Sequence, residues 1–261
     1  MSLLEGKKGL VVGIANERSY AWFIAKALIE QGAECSYTHL PGEKNERRLR
    51  RSLDAMGAPA DSWMRPLDAS SDEELDKVFD AYAADHDRMD FLIHSIAFAD
   101  REWLQPGKFT ATPRESYKSA VDISAYTLTA MAHRSRELMA KTGGSILCMS
   151  YYGGDKVVPG YNVMGVAKAA LECTARYLAA ELGEQQIRVN VISGGYLRTL
   201  ASSAVGGTDT MAERSLERSP LRRNVEGEDV GGTAAWLVSD LSRGVTGETV
   251  FVDCGVNLIG L

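Results

Sequence analysis

SYYGGDKVVPGYNVMGVAK, residues Ser150–Lys168, decides how the rest of this 261-residue chain is read. The apolar run Ser145-Ile146-Leu147-Cys148-Met149 enters it as a strand, a glycine-bearing loop follows, and a helix begins near Tyr161. That helix carries Tyr161 and, two turns on, Lys168. The Tyr-x6-Lys spacing puts both side chains on one face, roughly 10 Å apart along the axis. A phenol and an ammonium converging at the carboxyl end of a parallel strand can donate a proton and hold a cofactor. On an isolated helix the same pair would be an ordinary solvated face, so the surrounding pattern has to separate the two readings.

Outward from this stretch, short β-branched or apolar runs alternate with segments of helical period. Gly9–Ile14 reads as a first strand, Ser19–Gln31 as a helix with Ser19 a candidate N-cap, and Ala33–Thr38 as a second strand. A charged helix over Glu43–Met56 and a third strand over Trp63–Leu67 follow. Ser71 opens a helix to about Ala84, with Glu74 at the capping-box position. Asp90–Ile96 is a fourth strand, Ser116–Ala140 one long helix and Ser145–Ser150 the fifth strand. Tyr161–Leu182 is then a helix and Ile187–Ser193 a sixth strand. A stretch without clear period runs to about Arg223, before a helix over Val225–Ser239 and a last strand over Thr249–Asp253. This alternation predicts an α/β fold, a Rossmann-like doubly wound parallel sheet of about seven strands with helices on both faces. Ligands of such sheets bind beyond the carboxyl ends of the strands.

A chain of this length buries roughly three quarters of its unfolded surface and needs neither disulfides nor a metal to fold. Cys35, Cys148, Cys173 and Cys254 show no C-x-x-C spacing, and three of them lie in strand-like apolar runs. Buried free thiols in a reducing, cytoplasmic setting are therefore expected. No signal-peptide core opens the sequence and no apolar run approaches membrane-spanning length. A net charge of −6 is the wrong sign for a nucleic-acid partner.

The first strand runs into Gly13-Ile14-Ala15-Asn16-Glu17-Arg18-Ser19-Tyr20. One glycine and then a small residue allow close backbone approach, with a helix N-terminus ready for a pyrophosphate; an ordinary strand–helix turn would read the same way. Asp68, after the third strand, can hold an adenine amine or cap a turn. His94-Ser95-Ile96-Ala97 ends the fourth strand in small residues, as an edge facing a flat cofactor must. At the end of the second strand, Tyr37-Thr38-His39-Leu40-Pro41 offers neither an acid for a ribose 2′-hydroxyl nor an arginine for a 2′-phosphate. Lys44, Arg47 and Arg48 come slightly later, as a solvated helix face.

Together and in this order these segments resemble the short-chain dehydrogenase/reductase superfamily, and most closely its divergent branch, the enoyl-acyl-carrier-protein reductases of type II fatty acid synthesis. The likeness spans the whole chain and rests on GKKGLVVGIAN, FLIHSIAFA, SILCMSYYGG, PGYNVMGVAKAALE and IRVNVISGGYLRTLA. The tyrosine spacing is its most specific feature. The commoner branch uses Tyr-x3-Lys, a position held here by Met164, whereas Tyr161 and the second tyrosine, Tyr151, stand as in the enoyl reductases.

The resemblance implies that Tyr161 hydrogen-bonds the thioester carbonyl, that Lys168 holds the nicotinamide ribose, and that Tyr151 lines the pocket. It makes Gly13, Ala15, Ser19, Tyr20, Asp68, Ser95, Ile96, Lys168 and Thr199 cofactor contacts, and Ala97, Tyr151, Tyr161 and Tyr196 substrate contacts. It implies a single dinucleotide-binding oxidoreductase domain over residues 1–261, a substrate-side flap at about 195–223, and a homotetramer. The expected activity is hydride transfer from a nicotinamide, NADH in preference to NADPH, to an enoyl thioester on acyl carrier protein or coenzyme A.

Several positions depart from the family pattern. Phe23 stands where a glycine is usual at a close helix contact, and Ala97 replaces a glycine. Gly194-Gly195-Tyr196-Leu197 replaces Ala-Gly-Pro-Ile, and Cys254 replaces a glycine of the last strand. Ser203–Met211 (SAVGGTDTM) lacks the basic residues expected beside the substrate port. Two alternatives follow: a short-chain reductase for another activated alkene or a ketone, and a nicotinamide-binding protein without turnover, which Phe23 crowding the cofactor helix would favour.

Overall fold

The computed structural model describes residues 2–199 and 208–260. Seven strands form one parallel sheet: β1 (Lys8–Val12), β2 (Glu34–His39), β3 (Met64–Pro66), β4 (Phe91–His94), β5 (Gly144–Tyr151), β6 (Ile187–Gly194) and β7 (Thr249–Val252). Their spatial order is β3-β2-β1-β4-β5-β6-β7. The chain thus builds outward from β1 to one edge, returns to β4, and builds to the other, which leaves a topological switch point between β1 and β4. Helices α1 (Tyr20–Glu30), α2 (Glu43–Met56) and α8 (Gly227–Val238) cover one face. The other face is covered by α3 (Asp72–Asp85), α5 (Thr127–Met139) and α6 (Asn162–Leu182), with α4 (Arg114–Val121) continuing into α5. Leu10, Val11, Leu92, Ile93, Ile146 and Leu147 are fully buried, because both sheet faces are covered.

Register brings the site together. Val12 pairs with His94, His94 with Cys148, and Ser150 with Ser193. The residues that follow each strand therefore emerge along a single edge of the sheet, at the switch point.

Three local outcomes differ from the sequence reading. The long helix expected over Ser116–Ala140 is divided into α4 and α5 by a π-helical turn, Asp122–Tyr126. Ser124 in that turn accepts from the Phe98 N–H at 3.0 Å and donates to its carbonyl at 3.2 Å, and Thr127 donates back to the Ile123 carbonyl at 2.8 Å. A widened turn changes the hydrogen-bond ladder and not the apolar pattern, so periodicity passes over it. Helix α7 (Thr208–Arg218) lies in the stretch read as unpatterned. Leu216 there is exposed, so among its described side chains no buried apolar stripe announces the helix.

The third concerns Phe23, which packs onto α8 and does not crowd the cofactor end. A Cβ built on Gly227 would stand 2.1 Å from its ring, and one on Gly231 would stand 2.7 Å from its carbonyl oxygen. The glycines of this helix pair sit on α8, and the bulk sits on α1. Cys254 adopts φ +57°, the left-handed backbone for which the family's usual glycine is suited.

Candidate active site

Strand β5 delivers Met149, Ser150 and Tyr151 to the sheet edge, and the short turn Tyr152–Gly154 passes the chain on to the loop before α6. That turn lies against the helix: a Cβ on Gly153 would be 2.4 Å from the Tyr161 ring, and one on Gly154 would be 2.9 Å from Glu172 Oε1. The glycine pair therefore permits close approach and seats Tyr161. Its ring meets Tyr151 edge to face, with centroids 5.0 Å apart. Burial raises both phenols above the ordinary tyrosine range, Tyr151 to about 12. Each is thus a protonated donor at neutral pH, not a base.

Lys168, only 6% exposed, donates from Nζ to the Met149 carbonyl at 2.7 Å. Burial pulls its ammonium down to about 8, which keeps it charged at neutral pH. One turn further, Glu172 accepts from Ser150 Oγ, and burial raises its carboxyl above the usual range against that bond. His94 behind the site donates from Nε2 to Thr127, whose own hydroxyl proton is engaged by Ile123. Burial holds His94 down at about 3, so the imidazole is neutral and Lys168 supplies the positive charge.

At the switch point Gly13 has φ +113°, and a Cβ there would be 2.2 Å from the Ser95 carbonyl oxygen. Only glycine fits, and the bare backbone gives β1 and β4 a flat rim formed by Gly13, Ser95 and Ile96. Ser19 occupies the N-cap position of α1, yet its hydroxyl donates to the Asn16 carbonyl at 2.7 Å and makes no cap bond. The positive end of α1 is thus left without a side-chain cap, as an anion site requires. Tyr20 Oη donates to the Gly195 carbonyl at 2.6 Å, and its ring occupies the space that a side chain at Gly194 would need. This accounts for glycine in place of the family's alanine at Gly194.

The remaining expected residues lie around this centre. Asp68 accepts from the N–H and hydroxyl of Ser70 at 3.0 and 2.7 Å, so it caps the turn after β3, one of the two roles open to it. Ala15 and Ala97 are exposed, and Tyr196 is half-buried. Thr199 donates its N–H to Leu197 at 2.9 Å. Ser203–Gly207 of the port stretch lies outside the described residues, and its remainder begins α7.

The enoyl-(acyl carrier protein) reductase family model matches residues 13–257. The chain belongs to that family. A relative named enoyl-[acyl-carrier-protein] reductase [NADH], from Synechocystis, is 46% identical, with 99% of each chain covered. The enoyl-acyl-carrier-protein reductase of Anaplasma phagocytophilum, solved with NAD, superposes with a TM-score of 0.93 at 46% identity, covering 99% of this chain and 97% of that one. The Bacillus cereus enzyme, solved with NADP+ and an indole naphthyridinone, gives 0.95 at 44% identity over the full length of both chains.

Within this enoyl reductase framework, Met164 explains why the alternative tyrosine position is closed. It is 7% exposed and packs with Leu104, Ala120, Val163 and Ala167. Sequence reading missed Asn162, Ser124 and the Ser150–Glu172 pair. Only Asn162 carried a signal, an αL-tolerant residue at the start of a helix.

Proposed function

We propose that this protein is an enoyl-thioester reductase that reduces the trans-2 double bond of an acyl thioester with a nicotinamide cofactor, in type II fatty acid synthesis or a related pathway. The observation that carries the reading is the Tyr151–Tyr161 pair together with a buried Lys168 held at the end of β5, with Met164 where a carbonyl reductase would hold its tyrosine.

The chain fits a dinucleotide. The Gly13 rim, which a single Cβ would block, admits the flat cofactor along Ser95 and Ile96, and the uncapped start of α1 at Ala15, Ser19 and Tyr20 takes the pyrophosphate. Asp68 would face the adenine, Thr199 the nicotinamide side, and Lys168 the ribose hydroxyls, with one ammonium donor already set by Met149. When bound, the nicotinamide supplies the hydride. Tyr161 donates a hydrogen bond to the thioester oxygen, where negative charge develops as the β-carbon is reduced. Tyr151 packs Tyr161 in place, Lys168 keeps the site positive, and Ala97 and Tyr196 line the acyl side. Oxidation of NADH on adding a short enoyl thioester tests the reading; no absorbance change with that substrate, but turnover on a ketone, would favour the carbonyl-reductase alternative. The non-catalytic alternative loses its support now that Phe23 packs on α8.

NADH is the expected cofactor. Beyond the end of β2, a cleft of about 220 Å³ is lined by His39, Gly42, Glu43, Glu46 and Arg50. Arg50 is bound to Glu46 at 2.9 Å and Arg47 lies 3.7 Å from Glu43, so the guanidinium groups face carboxylates. A 2′-phosphate would meet two acids there. At equal, subsaturating concentrations NADH should be oxidised at least about tenfold faster than NADPH; the reverse ratio would overturn the assignment.

The chain is expected to act as a single-domain cytoplasmic homotetramer with its substrate flap at about 195–223. Among the described residues no helix is long and apolar enough to cross a membrane. Acidic carrier proteins dock through basic residues, and of the two exposed arginines of α7, Arg218 is already engaged with the Gly260 carbonyl. Carrier-bound and coenzyme A thioesters of one enoyl chain should therefore give kcat/KM values of the same order, with weak salt dependence. A large carrier preference abolished by salt would reveal a basic dock elsewhere.

A further inference from the structure

Asn162 follows Tyr161 directly and has φ +45°, a left-handed backbone that asparagine tolerates better than most side chains. Both donors of its side-chain amide are used. Nδ2 donates to the Trp103 carbonyl at 2.6 Å and to the Gln105 carbonyl at 2.7 Å, 59 and 57 residues upstream. Those carbonyls flank Leu104, which is 3% exposed and packs with Ala120, Val163, Met164 and Ala167. Tyr161 lies against the same cluster.

The segment held in this way is the one that leaves β4 through Ser95 and Ala97. It is pinned at a second point, where Ser124 of the π-helical turn bonds both backbone groups of Phe98. Tyr161 itself has only short-range backbone anchors: its N–H donates to Val158 at 3.0 Å, and its carbonyl accepts from Met164 at 3.0 Å. The long-range hydrogen bonds at this corner come from the neighbouring amide.

We propose that Asn162 is a positioning residue for the reductase reaction: by clamping residues 103–105 onto the first turn of α6, it fixes where the Tyr161 phenol points. The inference rests on Tyr161 being the donor. A displaced donor loses transition-state stabilisation steeply with distance, while cofactor contacts along β1, β4 and Lys168 are untouched.

Two substitutions separate the clamp from mere tolerance of the backbone. Asn162→Gly relaxes φ and removes the amide. Asn162→Asp keeps the shape and the left-handed preference but turns an acceptor toward two carbonyl oxygens. Both are to be made in the wild-type and Tyr161→Phe backgrounds, with folding checked by thermal melts, NADH affinity by titration and kcat on a short enoyl thioester. We expect kcat to fall about tenfold or more in both single variants, with NADH affinity within about twofold of wild type. In the Tyr161→Phe background the further loss should be under about twofold, because both changes act through one phenol. Wild-type kcat in Asn162→Gly, with Tyr161→Phe impaired, would overturn the clamp alone. An equal fractional loss in both backgrounds would also overturn it, by placing the effect elsewhere. Full turnover in Tyr161→Phe would overturn the donor assignment and the clamp with it.

Discussion

Tyr161→Phe should lower kcat on an enoyl thioester by about a hundredfold, in keeping with the loss of one donor aimed at a developing oxyanion. The ring carries the packing: it meets Tyr151 edge to face at 5.0 Å, lies against Gly153, and borders the Leu104 cluster. Phenylalanine retains all of this, so the fold and NADH affinity should change little. Removing only the hydroxyl isolates an interaction made in the transition state, and kcat and kcat/KM for the thioester should fall together. Single-turnover kinetics with saturating NADH make the measurement. A variant with full turnover would rule Tyr161 out as the donor.

Lys168→Ala should instead lose cofactor affinity and activity together. The ammonium is buried, charged at neutral pH and already held by the Met149 carbonyl, so it is oriented before any ligand arrives. Charge-assisted hydrogen bonds of this type contribute about 1.5–3 kcal/mol, which corresponds to about a ten- to hundredfold rise in the NADH dissociation constant. Lys168→Met, which keeps the aliphatic bulk, should behave likewise if charge matters and packing does not. Wild-type affinity in either variant would refute the role.

The same group sets a pH dependence. Burial lowers its pKa to about 8, so the ammonium persists below that value and is lost as pH rises through it. The kcat/KM for NADH, which reports the free enzyme, should therefore fall above pH of about 8. His94, neutral down to about 3, and the raised phenols contribute no competing transition between pH 5 and 9. A profile flat to pH 10 in the wild type would contradict this assignment.

The order of strands and helices was legible because hydrophobic period and turn residues are local properties, and both faces of a parallel sheet must be apolar. The bounds of α2 follow from that pattern, as do the positions of β1, β4, β5 and β6, whose ends shift by up to two residues. The Tyr-x6-Lys spacing was legible as a local pattern, but the structure starts α6 at Asn162, whose left-handed backbone leaves Tyr161 at the N-cap and outside the helix that carries Lys168. Local pattern could not show which way Phe23 faces, because its partners, Gly227 and Gly231, lie about two hundred residues downstream on a helix that only the folded sheet brings alongside. It could not show that Tyr20 fills the space above Gly194, nor that the helix of Ser116–Ala140 widens into a π turn to hold Phe98. Asn162 is the sharpest instance: its identity is visible in the chain, but the two carbonyls that give it a role arrive from the segment after β4. Sequence alone determined the order of strands and helices, because hydrophobic period and turn residues depend on neighbours within a few positions. Tertiary structure decided how the site is charged, buried and held, because those properties depend on groups brought together across the sheet.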